Sequence, residues 1–258
     1  MFDIETIPDV ATGRRLYGLA DLDDAAVARA MAEMRREQTG SDFLRHPLHR
    51  IVAISVVLRR GTEFRVWSLG EPDAGEAELV RRFFDGIDRF GPILVSWNGS
   101  GFDLPVLQYR ALLHGIPAPR YWETGENDAS FRWNNYLSRY HTRHTDLMDV
   151  LSGYQARACA PLHEIAVMLG LPGKLDMHGA EVFERYCAGN IADIRNYCET
   201  DVVNTYLIYS RWQLLRGGLS LDAWRADQEL VRSTLALEAK TQSHWQRFLD
   251  AWRLEDRP

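Results

Sequence analysis

Apolar and polar positions alternate from the first residues of the chain. Phe2 and Ile4 interleave with Asp3 and Glu5, which predicts a strand over residues 1–7. Between Asp23 and Gln38 the spacing turns helical. Val27, Met31 and Met34 share a face, Asp23 and Asp24 sit at the start, and Arg35 and Arg36 lie near the end, the order a helix dipole favours. Gly40 supplies the stop. Two β-rich runs, 51–58 and 63–69, are joined by Arg59-Arg60-Gly61-Thr62 and read as a hairpin. Helical spacing returns over 74–90, with Leu79, Phe83 and Ile87 on one side. A buried strand at 92–97, a helix at 104–113 ended by Gly115, and a short strand near 144–147 follow. Beyond it the pattern is helical, roughly 161–170, 179–188, 191–216, 221–235 and 238–253. A strand hairpin followed by alternating strand and helix predicts a layered α/β domain. It spans 1–216 with a helical insertion at 14–45, and 217–258 form a C-terminal helical extension packed on its side.

Charge narrows the function classes. The 258 residues carry 36 acidic against 30 basic side chains, a net charge of -6, which argues against a protein that coats duplexes by bulk positive charge. An enzyme that grips a few phosphates through metal ions remains compatible. The most apolar run, 51–58, is far too short to cross a bilayer. The opening Met1-Phe2-Asp3-Ile4-Glu5 has no basic or apolar leader, and Cys159, Cys187 and Cys198 have no CxxC spacing. Both features predict a cytoplasmic protein with reduced thiols. Nearly all positive charge is arginine, Lys174 and Lys240 being the lysines, which suits bidentate phosphate contacts. No Gly-rich phosphate loop and no GxSxG elbow is present, so triphosphate hydrolysis and acyl transfer lack support.

Three acidic segments carry the candidate chemistry. Asp3 and Glu5, two apart on a strand, point to one face. Two carboxylates about 4 Å apart repel by about 4 kcal/mol at an effective dielectric near 20, so that face is wet or holds a cation. Asp103 closes Asn98-Gly99-Ser100-Gly101-Phe102-Asp103 after a buried strand, where it reads either as a helix N-cap or as a site residue at a strand's carboxyl end. Tyr197 and Asp201 are four apart on a helix and share a face. Each segment alone has an ordinary structural reading.

In this order, Asp3-Ile4-Glu5, Asn98-x3-Phe102-Asp103 and Tyr197-x3-Asp201 resemble the three exonuclease motifs of the DEDD superfamily. The tyrosine marks the DEDDy branch, which includes the proofreading domains of family B DNA polymerases. In the histidine branch a His would stand where this chain has Asn196. The wider wording, Phe2 to Pro8 and His144 to Asp149, is similar to the PolB-related predicted 3'-5' exonucleases, and the resemblance spans roughly 1–216. It implies an RNase H-like fold with a mixed sheet whose first three strands are antiparallel. It also implies that Asp3, Glu5, Asp103 and Asp201 converge on two divalent cations, Mg²⁺ or Mn²⁺. Asp3 would bridge the two, Glu5 and Asp201 would share the water-activating ion, and Asp103 would hold the other. Tyr197 would orient the attacking water. Only two residues precede Asp3, so the first strand is expected to be short.

Substrate contacts are expected from Thr6 and Ile7 beside the terminal nucleotide, and from Asn98 and Phe102 flanking the cleft. The acid-free run 131–144 holds Arg132, Arg139 and Arg143 among Phe131, Trp133, Tyr136 and Tyr140. It reads either as a single-strand contact or as an amphipathic helix with its rings in the core. Asp146 is expected to support the site rather than ligate. Trp245, Phe248, Leu249 and Trp252 form a stripe that reads as core, and His46 and His49 do not share an ion. The expected activity is 3'-5' hydrolysis of single-stranded DNA to nucleoside 5'-monophosphates. The alternatives are an RNA-trimming exonuclease and a non-catalytic RNase H-like nucleic-acid-binding module.

Overall fold

A computed structural model describes residues 1–175 and 177–253. β1 (Phe2–Pro8) pairs antiparallel with β2 (His49–Arg60), which pairs antiparallel with β3 (Glu63–Ser68). The hairpin between β2 and β3 closes over Gly61 and Thr62, with Gly61 at φ 58°. That left-handed conformation costs glycine little, and the primed turns of two-residue loops require it. β4 (Leu94–Ser96) and β5 (His144–Asp146) form a parallel pair, and β4 lies against β1. The sheet is therefore mixed, as an RNase H-like fold requires, with its antiparallel and parallel parts as separate ladders. β1 is fully paired from its first residue, Phe2 opposite Val56, and Met1 caps the ladder by exchanging backbone bonds with Val57.

Between the first two strands lie α1 (Val10–Tyr17), which the sequence pattern did not signal, and α2 (Asp24–Thr39). Asp9 caps α1 through the amide of Thr12, and Asp23 caps α2 through that of Ala26. α3 (Glu76–Phe90) and α4 (Asp103–His114) cover one face of the sheet. Phe2, Ile4, Ile54, Phe83, Phe84 and Leu107 interdigitate there. A buried Arg110 ties these layers together, bonding Glu76 at 2.7 Å and Asp9 at 2.6 Å.

α5 (Leu147–Leu151), α6 (Leu162–Met168) and α7 (Val182–Cys187) lead to α8 (Ile191–Leu215). α8 crosses the other face of the sheet, touching every strand from β1 to β4. α9 (Leu221–Glu238) and α10 (Ser243–Ala251) pack on it through Val231, Leu235, Trp245, Phe248 and Trp252, so the aromatic stripe is core. Asp227 on α9 accepts from Arg59, Tyr206 and Ser210 and joins that helix to β2 and α8. Residues 254–258 of the expected extension lie outside the described residues. Among the described residues no helix is long and apolar enough to cross a membrane.

Of the two readings left open for the run 131–144, the helix does not form. A 3-10 turn ends at Phe131, and a chain of turns follows, held by the Asn134 and Asn135 side chains accepting backbone amides. Asparagine offers the backbone an alternative to helix pairing, and two in succession prevail here. Phe131 and Tyr136 are nevertheless buried in the core, while Trp133 and Tyr140 are exposed.

Candidate active site

Strand alternation sends Phe2 and Ile4 into the α3–α4 core and turns Asp3 and Glu5 toward α8. The ladder shifts register between Glu5 and Thr6, where β2 gains a residue at Val52. Such a bulge re-aims side chains. It brings Ile7, Val52 and Ala53 into one cluster with Tyr197 and Cys198, directly under the acids.

Asp103 opens α4 as its first residue, which leaves the N-cap reading without support. Phe102 holds the cap position without a side-chain bond. The Asp103 carboxylate instead accepts the Ile4 amide at 3.2 Å. That amide lies at the seam between β1 and β4, where no strand partner takes it, and a buried donor must be paired. One bond thus fixes the second acidic segment to the first.

The loop preceding Asp103 is braced from behind. Asp146 accepts the amides of Asn98 at 2.9 Å, Ser100 at 2.8 Å and Met148 at 3.1 Å, the supporting part expected of it. Asn98 has φ 62°, and a Cβ on Gly99 would lie 2.2 Å from Ser96 Oγ, so the turn has little freedom.

α8 supplies the third segment. Tyr197 and Asp201 lie one turn apart on its inner side. Asp201 is 5% exposed, and its Oδ1 has no hydrogen-bond partner. An unpaired carboxylate oxygen in the interior is costly unless a cation takes it. Lys174, which the sequence reading did not place here, reaches in. Its Nζ donates to the Tyr197 hydroxyl at 2.5 Å and stands 3.8 Å from Asp201 Oδ2. Its rarity in an arginine-rich chain was the available signal.

The charges are mutually perturbed. Burial lifts Asp3 well above the carboxylate range, with Asp103 and Asp201 adding to the rise. Burial also lifts Glu5, reinforced by Asp3 and Asp201. Asp103 is pushed up to about 7 by burial, and Asp201 to about 6 by burial against the opposing pull of Lys174. Burial and the surrounding carboxylates raise Tyr197 too, so its phenol stays protonated. Oxygens of Asp3 and Glu5 and the Cys198 sulfur lie within 4.8 Å of one another. A set of buried, mutually repelling oxygen donors with one orphaned oxygen fits hard divalent cations.

The remaining candidates are placed less uniformly. Thr6 bonds His49 at 2.9 Å, and Ile7 is buried beside Tyr197. Asn98 is half-buried, and Phe102 packs against the rings of Phe43, His46 and His49. His46 and His49 are each bonded to other groups. Arg139 pairs with Asp149 at 2.8 Å, and Arg143 lies over the Phe131 ring and bonds Ser130. Beside Tyr197 an open cavity of about 240 Å³ is lined by Arg185, Asn196, Thr200 and, from α10, His244.

The fold and the site thus define an RNase H-like α/β protein with a cluster of carboxylates suited to cations. Comparison with known families adds that residues 41–252 match the family described as predicted 3'-5' exonuclease related to the exonuclease domain of PolB. The chain belongs to that family, which supports a nuclease function. Asp3 and Glu5 precede the matched region and rest on the geometry above. Over 136 residues the chain is 25% identical to a DNA polymerase of Archaeoglobus fulgidus, covering 52% of this chain and 17% of the polymerase.

Proposed function

We propose that the protein is a metal-dependent 3'-5' exonuclease that removes nucleoside 5'-monophosphates from single-stranded DNA, working in the cytoplasm. The observation that carries this reading is the convergence of four carboxylates from β1, α4 and α8, Glu5, Asp103 and Asp201 buried and Asp3 half-buried, one of them with an orphaned oxygen. Asp3, Glu5, Asp103 and Asp201 would hold two ions, Mg²⁺ or Mn²⁺. When bound, the ions supply Lewis acidity for attack on the phosphodiester and stabilise the leaving 3'-oxygen.

The chain's own groups do the rest. Tyr197 accepts from Lys174 and keeps its proton to donate into the cleft, which suits it to orient water rather than to act as a base. Lys174 offsets the carboxylate charge that a polyanionic substrate would meet. Ile4 and Asp146 hold the Asp103 loop in register with β1. Phe102 and Thr6 border the acids and are assigned to the terminal nucleotide. Arg139 and Arg143 are assigned to the strand further out.

The test is a 3'-end assay on a labelled single-stranded deoxy-oligomer with Mg²⁺, Mn²⁺ or EDTA. Single-nucleotide shortening that requires metal and disappears in Asp3→Ala is expected. Hydrolysis in EDTA, or full activity in Asp3→Ala, overturns the two-metal reading. A ribo-oligomer of equal sequence degraded faster than the deoxy form overturns the DNA assignment, since only a 2'-OH contact separates the polymers.

A further inference from the structure

We propose that Cys198, with Asp3 and Glu5, forms a thiolate-containing site for a borderline or soft divalent cation, Zn²⁺ or Cd²⁺, which displaces the hard ions from the same carboxylates. Cys198 follows the catalytic candidate Tyr197 on α8, yet the exonuclease reading gives it no part. Its sulfur is buried, 3.4 Å from the Asp3 carbonyl oxygen and 3.6 Å from Asp3 Oδ2. An ion at about 2.3 Å from sulfur and about 2.1 Å from oxygen, with tetrahedral angles, spans an edge of about 3.6 Å. The Asp3–Cys198 spacing matches that edge, and the Glu5 carboxylate lies within 4.8 Å of both. An independent observation points to a cation in this cluster: the nearby Asp201 Oδ1 is buried and unpartnered.

The thiol discriminates between ions by chemistry. Beside Mg²⁺ or Mn²⁺, which take oxygen ligands, the S–H bond survives and donates to Asp3. Beside Zn²⁺ or Cd²⁺ the S–H bond breaks, a sulfur–metal bond forms, and one proton leaves to water. No oxidant is involved. The consequence for hydrolysis, inhibition by Zn²⁺ or Cd²⁺, rests on the exonuclease reading; the binding does not.

The experiment uses the full chain stripped of metal and carrying Cys159→Ser and Cys187→Ser, so that Cys198 is the remaining thiol. Titration with Cd²⁺ is followed by the thiolate-to-cadmium charge-transfer absorption. One band per chain is expected, bleached by excess Mn²⁺ and lost in Cys198→Ser, with Cd²⁺ affinity falling by about 10²-fold. Should Cys198→Ser fail to fold, Asp3→Asn keeps the thiol and is expected to weaken the band by a similar factor. Absence of the band in the Cys198 protein, its persistence in Cys198→Ser, or its indifference to both Mn²⁺ and Asp3→Asn overturns the proposal. A band present without Mn²⁺-dependent hydrolysis removes the exonuclease reading alone. Hydrolysis without a band removes this site alone.

Discussion

Replacing Asp201 by asparagine removes one charge from four crowded carboxylates while keeping the side chain's shape. Asp201 sits at about 6 in the folded protein against an ordinary 3.8, because burial disfavours its charged form. That rise is worth about 3 kcal/mol. The folded value lies above the unfolded one, so this destabilisation is absent below pH 3.8, grows between 3.8 and about 6, and is complete above. At pH 8, in EDTA, Asp201→Asn is therefore expected to raise the melting temperature. For a chain of this size about 3 kcal/mol corresponds to at most about 10 °C. Loss of attraction to Lys174, 3.8 Å away, reduces the gain. The assay is a thermal melt of wild type and variant at pH 8 and pH 4, each with EDTA and with Mn²⁺. The variant's advantage should shrink at pH 4, where folded Asp201 is largely protonated, and Mn²⁺ should stabilise wild type far more than the variant. A variant less stable than wild type in EDTA at pH 8, or equal stabilisation of both by Mn²⁺, refutes the claim that burial of its charge at a cation site holds Asp201 in this state.

Other substitutions separate chemistry from scaffolding. Tyr197→Phe removes the hydroxyl that Lys174 holds at 2.5 Å, and kcat is expected to fall about 10²-fold with the melting temperature nearly unchanged. Asp146→Ala frees the amides of Asn98 and Ser100, and should lower kcat/KM by about 10²-fold by misplacing Asp103, while metal-free circular dichroism stays native. Asp227→Ala strands Arg59, Tyr206 and Ser210, and should cost about 3–5 kcal/mol in urea unfolding, with Asp227→Asn costing less.

Much of the element order was legible because period and punctuation agree. Gly40, Gly91 and Gly115 end three helices in left-handed conformations, and the Tyr197–Asp201 spacing needed only an unbroken helix. Helix α1 was not legible. It is eight residues long, interrupted by Gly13, and buries little of itself. Its stability comes from the Asp9 cap and from packing on α2, neither of which is a periodic signal. The turns over 131–144 were not legible for a related reason, since side-chain bonds from Asn134 and Asn135 replace the helix that composition allowed.

The chain's order of residues alone determined which acids are candidates, that Asp3 and Glu5 share a strand face, and that Tyr197 and Asp201 share a helix face. These are consequences of local geometry, with periods set by the backbone. Tertiary structure alone decided that Asp103 turns away from its own helix to the Ile4 amide, that Lys174 enters beside Tyr197, and that the Cys198 sulfur lies among the acids. Each contact joins segments far apart in the chain. Such contacts follow from how the sheet seam and α8 pack, which no period along the sequence encodes.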